Sequence, residues 1–291
     1  MNIDALRRLI RFAAAEDLGD RGDITAALLP EDTTDARFDV VARQAGVFAG
    51  ARVFPVLTDE LCPDADVVLA DAMTDGITLS PGRSIATVTG PAGAILSAER
   101  TLLNFLQRLC GVATLTRAYV DAVAATGARI YDTRKTVPAW RDLDKYAVRS
   151  GGGHNHRRGL HDAVLVKDNH LVGIAPARLG AAVGDMVRCA QALDPPPSFF
   201  EIEVDTLDQL RAVLEVPGID VILLDNFSCP QMTEAVALRD RLKLRERVQL
   251  EASGSITLET VRRVAETGVD RIAVGALTHS APALDIAFDR R

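Results

Sequence analysis

The chain has 291 residues, 48% of them apolar, and a formal net charge of −7. That length allows one large domain or two moderate ones around a proper core, and the acidic balance argues against non-specific binding to nucleic acid or an anionic membrane. No apolar run approaches the roughly 18 to 20 residues of a membrane span, and the N-terminus "MNIDALRRLIRFAAAEDLGD" turns acidic where a signal peptide needs an apolar core. Cys62, Cys110, Cys189 and Cys229 lie at least 40 residues apart, without metal or disulfide spacing, and read as buried, reduced thiols of a cytoplasmic protein.

Residues 1 to about 25 read as an amphipathic helix carrying Leu6, Leu9, Ile10, Ala13 and Ala14 on one face, ending in the turn-rich "DLGDRGDIT". Residues 36 to 96 give short β-like runs punctuated by Gly, Pro and Asp, which predict a small antiparallel sheet. The stretch "SAERTLLNFLQRLCGVATLTRAYVDAVAATG" repeats its apolar residues at helical spacing, with Ser97 as the expected N-cap, and forms one long helix or two joined near Gly111.

Beyond Gly127 apolar strands alternate with helices, the pattern of a parallel sheet covered on its faces. Strands are expected at 129–133, 163–167, 199–204, 220–226, 248–253 and 271–276. Their C-terminal ends carry polar or small residues throughout, the end at which an α/β barrel builds its active site, so a barrel is preferred to a doubly wound sheet.

Charge concentrates in the same region. Residues 129–170 hold nine Lys and Arg against five Asp, so this window carries +4 in a chain of net −7. Arg134, Lys135, His156, Arg157 and Lys167 would converge at one barrel mouth, and a mixture of Arg and Lys suits a ligand with several anionic groups. Glu203 and Asp225, at the ends of neighbouring strands, suit Mg²⁺ or ribose hydroxyls, with acid–base catalysis and ion pairing to lysine as competing roles. Ser253, Gly254 and Ser255, and Gly275 and Ala276, follow strands just before helices, where exposed backbone N–H groups hold phosphate. In "GGGHNHRRG" the glycines are expected to let backbone approach a ligand. An H-x-H metal pair of His154 and His156 lacks nearby acidic or thiol ligands in the sequence.

With these residues and the further motifs "AEDLGDRGDIT", "DTRKTVP", "EIEVDT", "ILLDNF" and "VGALTHS", the chain resembles over nearly its full length the quinolinate phosphoribosyltransferases, the carboxylating nicotinate-nucleotide pyrophosphorylases of NAD biosynthesis. The resemblance implies an N-terminal α/β sandwich domain, residues 1–110, and an incomplete, seven-stranded α/β barrel, residues 111–291, with C-terminal residues packing back on the first domain. It implies phosphoribosyl transfer from phosphoribosyl pyrophosphate to quinolinate with Mg²⁺, releasing pyrophosphate and CO₂. Arg100, Arg134, His156, Arg157 and Lys167 would then hold quinolinate, Lys135 the phosphates or leaving group, and Glu203 and Asp225 the ribose and Mg²⁺. A homodimer is implied as well, with Arg100 completing the partner subunit's site.

Ala139 and Trp140 depart from the Gly and smaller apolar residue common in the family, and Ser255 from Gly or Asn. Alternatives are the molybdenum-transport-associated homologue of this fold, another base substrate, a Schiff-base lyase using Lys135 or Lys167, and a non-catalytic binder of a phosphorylated metabolite.

Overall fold

The computed structural model describes residues 1–29 and 35–290. The chain opens with α1 (Ile3–Leu18), β1 (Asp35–Ala42), β2 (Gly46–Val47), α2 (Phe54–Leu61), β3 (Asp66–Leu69), β4 (Thr78–Leu79), β5 (Ser84–Pro91) and α3 (Ala92–Val123). It continues through β6 (Arg129–Tyr131), α4 (Arg141–Ser150), β7 (Val164–Val166), α5 (Leu179–Gln191), β8 (Phe200–Val204), α6 (Leu207–Val213), β9 (Val221–Asp225) and α7 (Cys229–Arg241). Last come β10 (Gln249–Ser253), α8 (Leu258–Ala265), β11 (Arg271–Ala273), the single turn α9 (Ala276–His279) and β12 (Ile286–Arg290). Met1–Arg117, Val137–Gly152 and Ser280–Arg291 form one compact unit; Ala118–Thr136 and Gly153–His279 form the other.

The first unit is built on an antiparallel sheet in the order β12-β1-β5-β3. Phe38 and Val40 on β1 and Ile85, Ala86 and Val88 on β5 are buried, and α1 turns Leu6 and Ile10 inward. Asn2 caps α1 by accepting the Ala5 N–H at 3.1 Å, and the helix stops at Gly19, whose φ of +52 suits a residue without Cβ.

The long apolar stretch is one helix, and its start differs from the expected one. α3 begins at Ala92, so Ser97 lies inside it rather than at the cap. Its hydroxyl instead donates to the Gly93 carbonyl at 2.9 Å and to Asp23 Oδ2 at 2.8 Å, back-bonding of the kind a serine adopts within a helix. Gly111 does not break the helix. A Cβ there would stand 2.0 Å from the Pro282 carbonyl oxygen, so the glycine serves close packing.

The second unit carries a parallel sheet in the order β6-β11-β10-β9-β8-β7. These six strands and their covering helices make a partial α/β barrel. A seventh position is marked by one residue: His154 bridges Tyr131 in parallel, donating its N–H to the Ile130 carbonyl at 2.8 Å and accepting the Asp132 N–H at 3.0 Å. Gly151, Gly152 and Gly153 precede it, which explains why apolar periodicity does not reveal this position. Thr206 with Gln209 and Ser228 with Gln231 form capping boxes that start α6 and α7 just beyond the strand ends.

Candidate active site

Successive residues of a strand point to opposite faces, so the barrel interior is read in steps of two. Its upper layer is Lys167, Glu203, Asp225 and Ser253; one step below lie Leu165, Glu201, Leu223 and Glu251. Register shows that these positions are staggered from strand to strand: Ser253 pairs with Asp225, whereas Glu203 and Glu251 both pair with Leu223, and Glu251 also pairs with Arg271.

At the C-terminal ends of the strands a cavity of about 480 Å³ opens. Of the residues predicted from sequence, Arg134, Lys135, His156, Arg157, Lys167, Glu203, Asp225, Ser253, Gly254 and Ser255 line it. Gly275 and Ala276 are outside its lining, although a Cβ on Gly275 would come within 3.0 Å of Lys135 Cδ, so the glycine leaves room for that lysine. Arg100 belongs to the first unit, exposed on α3.

The cations of the cavity are incompletely balanced. Arg157 is buried, with Nη1 reaching only the Ala163 carbonyl at 3.4 Å. Burial lowers its pKa, and the positive charge of Arg134 adds to that effect. Arg134 Nε is itself buried and has no hydrogen-bond partner among the described residues. Two close guanidiniums short of acceptors create a demand for an anion, which a planar carboxylate satisfies bidentately.

Across the cavity Lys167 Nζ donates to Glu203 Oε2. Glu203, Asp205 and Asp225 each offer a carboxylate oxygen, all within 4.8 Å of one another. Three clustered hard oxygens suit Mg²⁺, which prefers few carboxylates and keeps water for its remaining positions. Asp205 was not among the predicted residues; it lies two positions past Glu203 in "EIEVD", and the same alternation points to it. Behind Asp225 the turn is tight: Gly254 has φ +101, and a Cβ on it would lie 2.1 Å from Asn226 Oδ1. Asn226, at φ +54, donates Nδ2–H to Asp225 Oδ2 at 2.8 Å.

Below this layer sits a charged cluster that attention to strand ends alone misses. Glu201 and Glu251 are fully buried, and His156 Nε2 lies 2.8 Å from Glu201 Oε2 and 3.3 Å from Glu251 Oε1. Arg271 donates Nε–H to Glu251 Oε2 at 2.7 Å and lies over the Tyr131 ring at 3.9 Å. Burial alone would lower the His156 pKa, but the two carboxylates outweigh it and raise the value to about 9. The Arg157 N–H points at His156 Nδ1 from 2.7 Å and so opposes that rise, which comes from the carboxylates on the Nε2 side. Asp132 completes the support by accepting the His156 N–H at 2.8 Å and Asn155 Nδ2–H at 2.7 Å.

Comparison with known proteins agrees with this geometry. A family model described as quinolinate phosphoribosyl transferase, C-terminal domain, matches residues 112–289, and its N-terminal counterpart matches residues 23–110. The chain belongs to the quinolinate phosphoribosyl transferase family. The nicotinate-nucleotide pyrophosphorylase [carboxylating] of Mycobacterium leprae is 44% identical over 98% of this chain and 97% of its own length. A Bacillus subtilis protein, named probable nicotinate-nucleotide pyrophosphorylase [carboxylating], is 40% identical over 99% of this chain and 94% of its own length. Among solved structures, the nicotinate-nucleotide pyrophosphorylase of Francisella tularensis superposes with a TM-score of 0.88 at 34% identity, covering 100% of this chain and 98% of that one. The family fold of two domains, the second a partial α/β barrel, is therefore the one seen here.

Proposed function

We propose that the chain joins quinolinate to phosphoribosyl pyrophosphate and releases pyrophosphate and CO₂, leaving nicotinate mononucleotide. The observation that carries this reading is the under-compensated Arg134–Arg157 pair sharing one cavity with Glu203 and Asp225, to which Asp205 adds a nearby carboxylate from outside the lining. A dianionic planar acid fits the first, and a ribose with its phosphates fits the second.

Arg134, Arg157 and Lys167 bind the two carboxylates of quinolinate and aim its ring nitrogen at the ribose anomeric carbon. Positioning of this kind is worth several kcal/mol of barrier, up to roughly 7–11 for well-oriented pairs. The nitrogen forms a bond to the anomeric carbon as the bond to the pyrophosphate oxygen breaks, and positive charge develops on the ribose, as in glycoside chemistry. Glu203 and Asp225 face that charge, and Lys135 takes up negative charge on the leaving pyrophosphate. The carbon–carboxylate bond next to the now cationic nitrogen then breaks, its electron pair staying in the ring, and a solvent proton fills the position. No further electron sink is needed. Mg²⁺, held by Glu203, Asp225 and Asp205, would supply charge neutralisation at the pyrophosphate. Backbone N–H groups around Ser253, Gly254 and Ser255 suit the 5′-phosphate, with Gly275 and Ala276 extending that site.

A homodimer belongs to this reading: the exposed Arg100 would complete the partner's quinolinate site. Mixing Arg100→Ala with Asp225→Ala, each inactive alone, is expected to restore activity, since the mixed dimer holds one intact site. No recovery after verified subunit exchange would remove Arg100 from the site. A cytoplasmic location belongs to this reading as well: all four cysteines are free, Cys62 and Cys110 buried as expected but Cys229 half-buried and Cys189 exposed, and no described helix is long and apolar enough to cross a membrane.

The reaction is tested with carboxyl-labelled quinolinate. Labelled CO₂ is expected only with both phosphoribosyl pyrophosphate and Mg²⁺ present, with nicotinate inert as an alternative base. A folded protein that binds phosphoribosyl pyrophosphate and releases no CO₂ would exclude quinolinate as the substrate.

A further inference from the structure

Residues 154–158 carry Arg157 yet belong to no helix and to no strand beyond the single bridge at His154, and three glycines precede them. Local propensity therefore gives this segment little rigidity. Tertiary contacts hold it from three sides. Tyr131 bridges His154, Asp132 accepts from Asn155 and from the His156 backbone, and Glu201 and Glu251 face the His156 ring from β8 and β10. Arg271 fixes Glu251 in turn and packs over Tyr131, which returns the chain of contacts to β6. Both ring nitrogens of His156 are engaged by the protein, Nε2 by the carboxylates and Nδ1 by the Arg157 N–H. Phe199 packs edge-on against the ring at 5.5 Å.

We propose that Glu201 and Glu251 are positioning residues of the quinolinate site, holding His156 so that the segment it anchors presents Arg157 to a substrate carboxylate. This rests on the functional reading above and deepens it: His156, which lines the cavity as a predicted quinolinate contact, also acts through Arg157. Two buried carboxylates inside a barrel are costly to desolvate, and a buried ionic cluster replaced as a whole by apolar groups of similar size is often neutral or stabilising. Fold stability alone therefore gives little reason for them, whereas orientation of a neighbouring functional group by outer carboxylates does.

Steady-state kinetics of Glu201→Met and Glu201→Gln, with both substrates varied, test this. Methionine keeps the volume and removes the acceptor; glutamine keeps an acceptor. Glu201→Met is expected to raise KM for quinolinate about ten-fold, the range set by losing one outer-sphere carboxylate. KM for phosphoribosyl pyrophosphate is expected to stay near wild type, and Glu201→Gln to recover most of the quinolinate loss. Unchanged quinolinate KM in Glu201→Met, an equal rise for both substrates, or no recovery with glutamine would overturn the positioning role. If Glu201→Met does not fold, Glu201→Ala takes its place with the same expected and contrary results. Wild-type protein that releases no CO₂ would overturn the functional reading and this inference together, whereas active wild type with an unaltered Glu201→Met overturns only the latter.

Discussion

The two ends of the parallel sheet use buried arginine in opposite ways. At the end where the strands begin, Arg239 is fully buried and ion-paired with two carboxylates, although its Nη2 has no partner among the described residues: it bonds Asp270 through Nη1 and Asp240 Oδ1 through Nε at 3.0 Å, while Asp270 Oδ2 also accepts the Leu250 N–H at 2.8 Å. There the charge ties α7 to the starts of β10 and β11. At the end where the strands finish, Arg157 and Arg134 are held close to each other with few acceptors, and the balance they lack is what an anionic ligand brings. Paired charge serves architecture and under-paired charge serves binding, the division known between the two faces of α/β barrels.

Substitutions at the two ends sharpen or break that contrast. The largest effect is expected from Glu203→Gln, which removes charge facing the developing ribose cation: kcat is expected to fall about 100- to 1,000-fold, the range for one preorganised electrostatic group. Its unfolding transition stays in place; if it instead lost stability as turnover was kept, Glu203 would belong to the architecture. Next is Gly254→Ala, where φ +101 and the 2.1 Å approach to Asn226 force the turn to move. A cost of roughly 1–3 kcal/mol is expected in urea unfolding, together with weaker binding of phosphoribosyl pyrophosphate. A fully stable Gly254→Ala with normal binding would show that the loop tolerates a side chain. The smallest effects concern Ala139 at φ +65 and Ser255 at φ +48, both in the left-handed region. Glycine at either position is expected to stabilise the protein by about 1 kcal/mol or less, because relief of the Cβ clash is partly offset by added freedom of the unfolded chain. A lower unfolding temperature for Ala139→Gly would contradict this.

Of the three departures from the family pattern, Ala139 and Ser255 fall on positive-φ positions, so the family's Gly or Asn there has a conformational reason that sequence alone did not supply; Trp140, at φ −96, does not. The strands of the barrel were legible because buried parallel strands are continuously apolar, as in "DVILLDN", and because each ends in a polar residue. The second charged layer was present in the same strings: Glu201 in "FFEIEV" and Glu251 in "VQLEAS" each lie two residues before a position chosen as a strand end, and Arg271 in "RIAVGA" lies four before Gly275. Period-two reading would have found them, whereas charges inside an apolar strand are easily taken for its solvent-facing edge. Two features lay beyond local patterns. The pairing of β12 with β1 joins residues about 250 apart in the chain, and Gly111 answers to Pro282 rather than to its neighbours.

The most direct test compares Arg157→Ala with Arg239→Ala, measuring calorimetric affinity for each substrate and stability to urea. Arg157→Ala is expected to weaken quinolinate binding roughly 100-fold while phosphoribosyl pyrophosphate affinity and stability hold. Arg239→Ala is expected to lose about 3–5 kcal/mol of stability, with quinolinate affinity of the folded protein unchanged. Equal weakening of both substrates by Arg157→Ala, or a loss of stability matching that of Arg239→Ala, would contradict the division between the two ends.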